Sequence, residues 1–341
     1  MPISRRVLLA ALVVGSLACK DKPAPEGTTT GVASGAAVAA PPGQRLKLAV
    51  IPKGTTHEYW KSVHAGAVKA AKELDVDIVW KGPLKEDDLK AQIDVVSTFV
   101  AQGVNGIIVA PLNDVALKAP VKAAVDAKIP VVVFDSDIAG SAHTSFVATD
   151  NQAAGRLAAE GLAKALDGKG GVIVLRYQEG SASTSNREKG FLDGLKGKGL
   201  NLVSDNQYAG ATTETAMKKG ESLLVAHGDK VNGIFAPNES TTFGMLQALK
   251  TSGKNKQVKL VGFDASDKLV QALREGDIEG LVVQNPFNMG YVSVKTMVDH
   301  LRGKPVEKRI DTGARYVDRS NVDDPAVKEI LSPDLKQWLG E

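Results

Sequence analysis

Cysteine is almost absent from this chain, and clusters of positive charge are missing. The single cysteine, Cys19, excludes an internal disulfide. The apolar run from Val7 to Val14 is shorter than the roughly 20 residues that a transmembrane helix needs, and no later run is longer. Loss of residues 1–18 would remove two arginines and no acids, which lowers the formal charge from +3 to about +1. Without a basic stripe, nucleic-acid binding has little support.

Motifs for cofactors and metals are missing as well. No nucleophile elbow, P-loop or zinc-ligand cluster is present, and the glycines at 168, 170 and 171 precede a predicted strand, whereas a dinucleotide fingerprint follows one. The histidines at 57, 64, 143, 227 and 300 are scattered along the chain. We therefore expect no cofactor, no metal and no enzymatic activity.

The N-terminus predicts export. Arg5 and Arg6 precede the apolar run and a small-residue cleavage site, a pattern that indicates a secretory signal over residues 1–18. Ser16-Leu17-Ala18-Cys19 resembles a bacterial lipobox, which predicts lipidation of Cys19, with ordinary cleavage after Ala18 as the alternative. Residues 19–44 are rich in Pro, Gly, Ala and Thr, which indicates a flexible tether.

From residue 45 onward, short apolar runs alternate with amphipathic segments. The predicted strands span 46–51, 76–80, 106–110, 130–134, 172–176, 202–203, 233–236, 259–263 and 281–284. The predicted helices span 58–74, 86–102, 114–127, 151–166, 184–198, 212–226, 241–252, 266–275 and 287–302. This pattern predicts an α/β fold with parallel sheets covered by helices on both faces. The length favours two domains, since typical domains have about 100–200 residues.

The two halves of the chain share a sequence echo. Asn105-Gly106-Ile107 leads to Ala110-Pro111 and later to Phe134-Asp135, while Asn232-Gly233-Ile234 leads to Ala236-Pro237 and later to Phe263-Asp264. Both aspartates follow predicted parallel strands, where open α/β sheets place ligand-contacting residues. The echo predicts two similar lobes with Asp135 and Asp264 facing one cleft, and a helix N-cap is the alternative role for each.

These residues carry a resemblance to the ribose/sugar-binding group of type I periplasmic binding proteins, which share their fold with the ligand-binding half of LacI-type repressors. It covers about residues 46–318. The matching segments are Tyr59-Trp60, Ala65-Gly66-Ala67, Ile129-Pro130-Val131, Ala148-Thr149-Asp150-Asn151, Arg187 before Gly190-Phe191, Asn238, Val261-Gly262-Phe263-Asp264 and Gln284. The resemblance implies two Rossmann-like lobes, each a parallel sheet flanked by helices, joined by a three-strand hinge.

The resemblance also implies a ligand shell. Tyr59 and Trp60 would offer aromatic faces to a sugar ring, and both residues could instead belong to the core. Asp135 and Asp264 would accept hydrogen bonds from hydroxyls on the two walls. Arg187, Asn238 and Gln284 would reach in from the C-terminal lobe or its hinge.

Some positions depart from the ribose pattern. Lys53 and His57 replace a Ser and an Asn, and Asp135 is followed by Ser136-Asp137 where ribose-type proteins have Arg. Ile51-Pro52-Lys53, Lys81-Gly82-Pro83 and Asp135-Ser136-Asp137 resemble autoinducer-2-binding and rhamnose-binding relatives. We therefore add Lys53, His57, Ser136 and Asp137 to the candidate ligand contacts. A phosphorylated or carboxylated sugar would give Lys53 a partner, and a solvated surface lysine is the alternative.

The implied mechanism is hinge closure around the ligand, followed by docking on the membrane permease of an ABC-type importer. Crossings near Thr149-Asp150, Gln284-Asn285 and Asp311-Thr312 predict discontinuous domains: an N-terminal lobe of residues 45–149 with 285–311, and a C-terminal lobe of residues 150–284 with 312–341. The resemblance implies a periplasmic, lipid-anchored monomer. Two alternatives remain open here: a sensor that presents its ligand to a receptor, and an extracytoplasmic glycosidase that uses Asp135 and Asp264 as an acid/base pair.

Overall fold

The chain's structure is a computed structural model, which describes residues 45–138, 140 and 142–340. The predicted signal peptide, the predicted tether and Cys19 lie outside these residues. In the part of the chain that the structure describes, no helix is long and apolar enough to cross a membrane.

Twelve strands form two six-stranded sheets within the described residues. The strands are β1 (Lys47–Ile51), β2 (Asp77–Trp80), β3 (Gly106–Val109), β4 (Val131–Phe134), β5 (Ser145–Ala148), β6 (Gly171–Arg176), β7 (Asn201–Tyr208), β8 (Gly233–Phe235), β9 (Lys259–Phe263), β10 (Gly280–Gln284), β11 (Arg309–Asp311) and β12 (Ala314–Val317). The first sheet has the order β11-β5-β4-β3-β1-β2 and is wholly parallel. The second has the order β12-β10-β9-β8-β6-β7 and is parallel except for β12, which runs antiparallel to β10.

Eleven α-helices accompany these strands in the described ranges. They are α1 (Glu58–Leu74), α2 (Leu89–Ala101), α3 (Lys118–Asp126), α4 (Asn151–Ala165), α5 (Ala182–Leu195), α6 (Thr213–His227), α7 (Glu239–Thr251), α8 (Asp267–Glu275), α9 (Pro286–Leu301), α10 (Pro325–Leu331) and α11 (Leu335–Leu339). We call the first sheet with α1, α2, α3 and α9 the N-terminal lobe. The second sheet with α4 to α8 and α10 is the C-terminal lobe. The predicted fold class, two parallel α/β lobes of the type I periplasmic binding protein kind, is confirmed.

Local differences from the sequence-based expectations have physical causes. The helix predicted over 86–102 begins at Leu89, because the side chain of Asp88 accepts a hydrogen bond from the Ala91 amide and ends the preceding loop. The weak strand predicted at 202–203 is the eight-residue β7, a largely polar edge strand in which four residues are exposed and none is buried. The strand β5 was not predicted.

Each sheet is buried on both faces. In β1, Leu48 and Val50 pack with α1 and α9, whereas Ala49 and Ile51 pack on the opposite side with α2 and α3. The C-terminal sheet divides its apolar side chains in the same way between two clusters. Burial on both faces explains why most of the strands are apolar throughout rather than alternating.

Glycines allow two close helix crossings, one in each lobe. A Cβ at Gly66 of α1 would lie 1.8 Å from the Phe287 carbonyl oxygen, and one at Gly290 of α9 would lie 2.0 Å from that of Val63. In the C-terminal lobe, a Cβ at Gly155 of α4 would lie 2.1 Å from the Arg187 carbonyl oxygen. These contacts are to backbone, which cannot move aside, so the glycines fix the spacing of α1 with α9 and of α4 with α5.

The chain passes between the sheets after β5, after β10 and between β11 and β12. Hydrogen bonds join the first and third passages: the Thr149 hydroxyl donates to the Gly313 carbonyl (3.1 Å), and the Asp150 amide donates to Asp311 (3.0 Å). After the third passage, Val327 of α10 belongs to a core cluster of the C-terminal lobe. Trp338 of α11 lies instead beside Lys69 and Lys72 of α1.

Candidate functional site

A polar cavity lies between the carboxyl ends of the two sheets. The cavity is lined by residues of both lobes. The N-terminal lobe contributes Lys53, His57, Tyr59, Trp60, Glu86 and Asp135. The C-terminal lobe contributes Tyr177, Ser183, Thr184, Arg187, Asn238, Glu239, Asp264 and Gln284, the last residue of β10.

On the N-terminal wall, Asp135 follows β4 and Lys53 follows β1. The ammonium of Lys53 lies 2.9 Å from the Asp135 carboxylate, and both side chains are 4% exposed. Lys53 also donates to the hydroxyls of Ser183 (3.0 Å) and Ser181 (3.4 Å) in the opposite lobe. The Tyr59 hydroxyl donates to the other oxygen of Asp135 at 2.9 Å. Lys53 is thus a buried partner of Asp135 and not a solvated surface lysine.

On the C-terminal wall, the polar groups gather around Asp264. The Gln284 amide donates to one carboxylate oxygen at 2.7 Å, and the Glu239 backbone amide donates to the other at 3.1 Å. The Arg187 guanidinium lies 3.9 Å from Asp264 and stacks over the Phe263 ring. Burial raises the pKa of Asp264, and Arg187 opposes that shift. Asp264 is not the N-cap of the helix that follows it, since that position is Ser266.

The orientation of the Arg187 side chain is fixed by hydrogen bonds to its own lobe. Its Nε donates to Asn151 at 2.8 Å, and its Nη1 donates to the Pro237 carbonyl at 2.9 Å. Asn238 caps α7 by accepting from the Thr241 amide. Arg187 Nη2 and Gln284 Oε1 are buried and make no hydrogen bond within the described residues. A buried donor and a buried acceptor without partners are what a polar ligand would satisfy.

Glu86, in the loop before α2, binds three side chains through its carboxylate. Its carboxylate lies 2.8 Å from Nδ1 of His57 and accepts from the Trp60 indole at 2.7 Å. Its other oxygen accepts from the Tyr177 hydroxyl of the opposite lobe, also at 2.7 Å. Burial alone would lower the pKa of His57, but Glu86, helped by Glu239 and Asp264, raises that pKa to about 9. Burial alone would raise the pKa of Glu86, yet His57, Lys53 and Trp60 lower it to about 2.

Glu239 is a further buried carboxylate on the C-terminal wall. Burial raises its pKa to about 7, partly offset by the nearby His57. It accepts a hydrogen bond from the Tyr59 backbone amide of the opposite lobe at 3.2 Å. Together with the contacts of Lys53 and Glu86, this bond shows that the two walls are closed on each other.

Comparison with known proteins agrees with this fold and cleft. Residues 48–305 match the family model described as "Periplasmic binding protein domain". This chain belongs to the periplasmic binding protein family. The ribose import binding protein RbsB of Haemophilus influenzae is 27% identical to it over 289 residues, covering 85% of this chain and 97% of that protein.

Two solved structures resemble this periplasmic binding protein closely. A carbohydrate transporter solute-binding protein from Agrobacterium radiobacter, in complex with D-arabinose, is 36% identical with a TM-score of 0.81, covering 84% of this chain and 99% of that one. An ABC transporter solute-binding protein from Agrobacterium vitis with bound D-fucose is 34% identical with a TM-score of 0.80, covering 84% of this chain and 100% of that one. These relatives are binding proteins, so use of Asp135 and Asp264 as a glycosidase pair is not favoured.

Nine of the candidate ligand contacts from the sequence line the cavity of this periplasmic binding protein: Lys53, His57, Tyr59, Trp60, Asp135, Arg187, Asn238, Asp264 and Gln284. Ser136 and Asp137 do not. Ser136 is buried against Ser183 of the opposite lobe. Asp137 accepts from the Ile138 amide and faces a separate groove with Asp150. Tyr59 and Trp60 combine both proposed roles, since they also belong to the core cluster around α1.

Sequence reasoning missed five lining residues: Glu86, Tyr177, Ser183, Thr184 and Glu239. Tyr177 follows β6, and Glu239 follows β8. Both could have been predicted from their positions beyond the carboxyl ends of strands, where ligand contacts are expected. Glu86 stands at the start of the helix that the sequence predicts over 86–102, where an acid is expected without any binding role. In the described ranges, no group of three or more His, Cys, Asp or Glu side chains is arranged to hold a metal ion.

Proposed function

We propose that this protein is the substrate-binding protein of an ABC-type importer and that it binds an uncharged monosaccharide in the cavity between its lobes. The observation that carries this proposal is the pair of unsatisfied groups at Asp264. Arg187 Nη2 is a buried donor and Gln284 Oε1 a buried acceptor, and both belong to residues in contact with Asp264. A hydroxyl group accepts and donates at once, so sugar hydroxyls suit this mixture of groups.

The charges of the cavity support an uncharged ligand. Each cationic side chain is beside a carboxylate: Lys53 by Asp135, His57 by Glu86, and Arg187 by Asp264. The ammonium of Lys53 has three N–H donors, and Asp135, Ser181 and Ser183 accept from it, so no donor is left for a ligand. An acidic or phosphorylated sugar would have to displace these contacts. The aromatic rings of Tyr59, Trp60 and Tyr177 supply the apolar surface that a sugar ring face needs.

The relatives support a monosaccharide as the ligand. Structures similar to this chain were solved with D-arabinose and D-fucose, and a related solute-binding protein from Actinobacillus succinogenes with D-allose. Those ligands differ in ring substituents, and Lys53 and His57 depart from the ribose pattern. The proposal therefore names the class of ligand and not one sugar.

The remaining parts of the proposal concern closure and location. Residues 45–149 with 285–311 and residues 150–284 with 312–331 would move as the two lobes, α11 would move with α1 instead of with the C-terminal lobe predicted for residues 312–341, and the closed form would dock on the permease. The chain would be exported by the signal over residues 1–18 and anchored through a lipid on Cys19, with residues 19–44 as the tether. We propose that it acts as a monomer in the periplasm.

The test is titration calorimetry on the purified protein after unfolding and refolding, which removes any bound sugar. The panel contains D-ribose, D-allose, D-arabinose, D-fucose, a uronic acid and a sugar phosphate. We expect at least one neutral sugar to bind with a micromolar or tighter dissociation constant, and the two anionic compounds to bind at least about 100-fold more weakly. Absence of heat with every neutral sugar would overturn the proposal.

A further inference from the structure

Three helices that face the cleft lack a side-chain N-cap of their own. They are α1, α5 and α8, whose N-cap residues His57, Ser181 and Ser266 have extended backbone and make no capping hydrogen bond. Six other helices, α2, α4, α6, α7, α9 and α11, are capped by their own Asp, Asn or Thr. The first amides of a helix have no partner within it, so α1, α5 and α8 need acceptors from elsewhere. The helices α3 and α10 also lack a side-chain cap, so the missing cap alone is not distinctive.

The acceptors for α1, α5 and α8 come from the opposite lobe. The Tyr59 amide of α1 donates to the Glu239 carboxylate at 3.2 Å, and the Asp267 amide of α8 donates to the Glu58 carboxylate at 3.2 Å. The Ser183 amide of α5 donates to the Ser136 hydroxyl at 2.9 Å. Every one of these bonds joins the N-terminal lobe to the C-terminal lobe, and between α1 and the helices opposite it one bond runs in each direction.

We infer that Glu58, Ser136 and Glu239 are positioning residues that hold the closed state by capping helices across the cleft. This inference rests on the proposed function, because it describes how closure around a ligand is stabilised. In an open form the three amides would bind water instead, so the caps contribute only to the balance between open and closed. An N-cap typically changes an equilibrium by about twofold to thirtyfold. The effect should therefore appear in the rate at which ligand leaves.

Glu58 offers the sharpest test because it is exposed and does not line the ligand cavity. Glu58→Ala removes the cap on α8, and Glu58→Gln keeps a carbonyl acceptor. Glu58 also lies in the first turn of its own helix, where any acid helps. The matched control is Glu214→Ala, which removes an exposed acid from the first turn of α6; its hydrogen bond is with Lys218 of the same helix, and it attracts Lys85 of the opposite lobe without capping a helix there.

The measurement is stopped-flow dissociation of whichever sugar of the panel binds, using the full protein. We expect Glu58→Ala to raise the dissociation rate roughly three- to tenfold with an unchanged association rate. Glu58→Gln should fall between Glu58→Ala and wild type, and Glu214→Ala should match wild type. Equal dissociation rates for wild type and Glu58→Ala, or an equal rise in Glu214→Ala, would overturn the inference.

A second readout separates this inference from the proposed function. Amide hydrogen exchange at Asp267 is measured in the ligand-free protein, with the Thr215 amide, which is capped within α6 by Thr212, as an internal control. The ligand-free protein samples the closed state as part of its ensemble, and Glu58 protects the Asp267 amide in that state; we therefore expect Asp267 to exchange faster in Glu58→Ala than in wild type, while Thr215 is unchanged. If no sugar binds, the proposed function fails and this exchange alone decides the inference. Equal exchange at Asp267 in both proteins overturns it.

Discussion

Asp135 and Asp264 occupy the same place in the two lobes and share an uncommon backbone conformation. Each directly follows the last residue of a strand, β4 or β9, and their φ angles are 59° and 67°. Few residues other than glycine adopt this left-handed region, and Asp and Asn are among those that do so most readily. In this conformation the chain turns away from the strand axis, and each carboxylate lines the cavity. Backbone of this kind tends to persist where function requires it.

Replacement of Asp264 by Asn should separate its charge from its backbone role. Asn tolerates the left-handed conformation, so the fold should be kept while one charged acceptor is lost. We expect the dissociation constant for sugar to rise by roughly 10- to 100-fold, since hydrogen bonds to charged groups contribute about 1.5–3 kcal/mol. Calorimetry measures this change, and Asp126→Asn on the exposed face of α3 is the control. Unchanged affinity in Asp264→Asn would contradict the assignment of Asp264 to the ligand site.

Stability should fall as the pH rises from about 6.5 to about 9. His57 has a pKa raised from 6.5 to about 9, so its contribution is complete below pH 6.5 and is lost as the pH rises through 9. Glu86 affects stability at acid pH instead: its pKa is lowered from 4.5 to about 2, so its contribution to stability is present above pH 4.5 and is lost as the pH falls through about 2. We expect the melting temperature of wild type to drop by roughly 5 °C between pH 6.5 and 9.

The matched variant for this pH effect is His57→Gln, which can still donate to Glu86 but does not titrate. Its melting temperature should be nearly flat over the same range. Thermal unfolding of both proteins, followed by circular dichroism at half-unit pH steps, makes the comparison. Parallel curves for the two proteins would show that the His57–Glu86 pair does not carry the pH dependence.

The crossing of α1 and α9 should not tolerate a methyl group. The Cβ of Gly66→Ala would meet the Phe287 carbonyl oxygen at 1.8 Å, so the helices must separate, at a cost of about 3 kcal/mol or more. Gly220→Ala in α6 is the comparison, because its Cβ would meet the Ala248 Cβ and the Met245 sulfur at 2.9 Å, a much smaller overlap than the 1.8 Å approach at Gly66. Urea unfolding should show a clearly larger loss of stability for Gly66→Ala than for Gly220→Ala. Equal losses would contradict this account.

Membrane attachment should depend on Cys19. If the cysteine is lipidated, the full-length protein expressed in a bacterial host should sediment with membranes through a high-salt wash and be released by detergent. Cys19→Ser should then be found in the soluble fraction. Mass spectrometry of the N-terminal peptide distinguishes an acylated cysteine from a free one. A soluble wild-type protein that begins with unmodified Cys19 would favour ordinary cleavage after Ala18.

Much of the fold follows from the sequence because buried parallel strands and amphipathic helices leave strong local patterns. The helix over 58–74 and the strand over 259–263 have the bounds that the sequence predicts. The echo of Phe-Asp in the two halves correctly indicated two similar lobes. Patterns fail where burial is weak, and the exposed edge strand β7 is the example, since its polar residues give little period-two signal.

The parts of the site that escaped prediction depend on contacts between distant segments. Glu86 meets Tyr177 across the cleft, 91 positions away in sequence, and a carboxylate next to Asp87 and Asp88 gives no local sign of that partner. Ser136 was proposed as a ligand contact, and the structure places it in the contact between lobes. Such roles arise from the closed arrangement of the two lobes, which no local pattern encodes.

The N-terminal lobe cannot be completed early in synthesis. Its helix α9, which packs against α1, and its edge strand β11 come from residues 286–311. A chain of separate domains can fold from its N-terminus as it leaves the ribosome, but here the first lobe waits for nearly the whole polypeptide. Until then, α1 lacks its partner α9 and β5 lacks its partner β11, so the core of this lobe is unfinished. The order in which the chain is made thus delays folding, which suits the export that residues 1–18 predict.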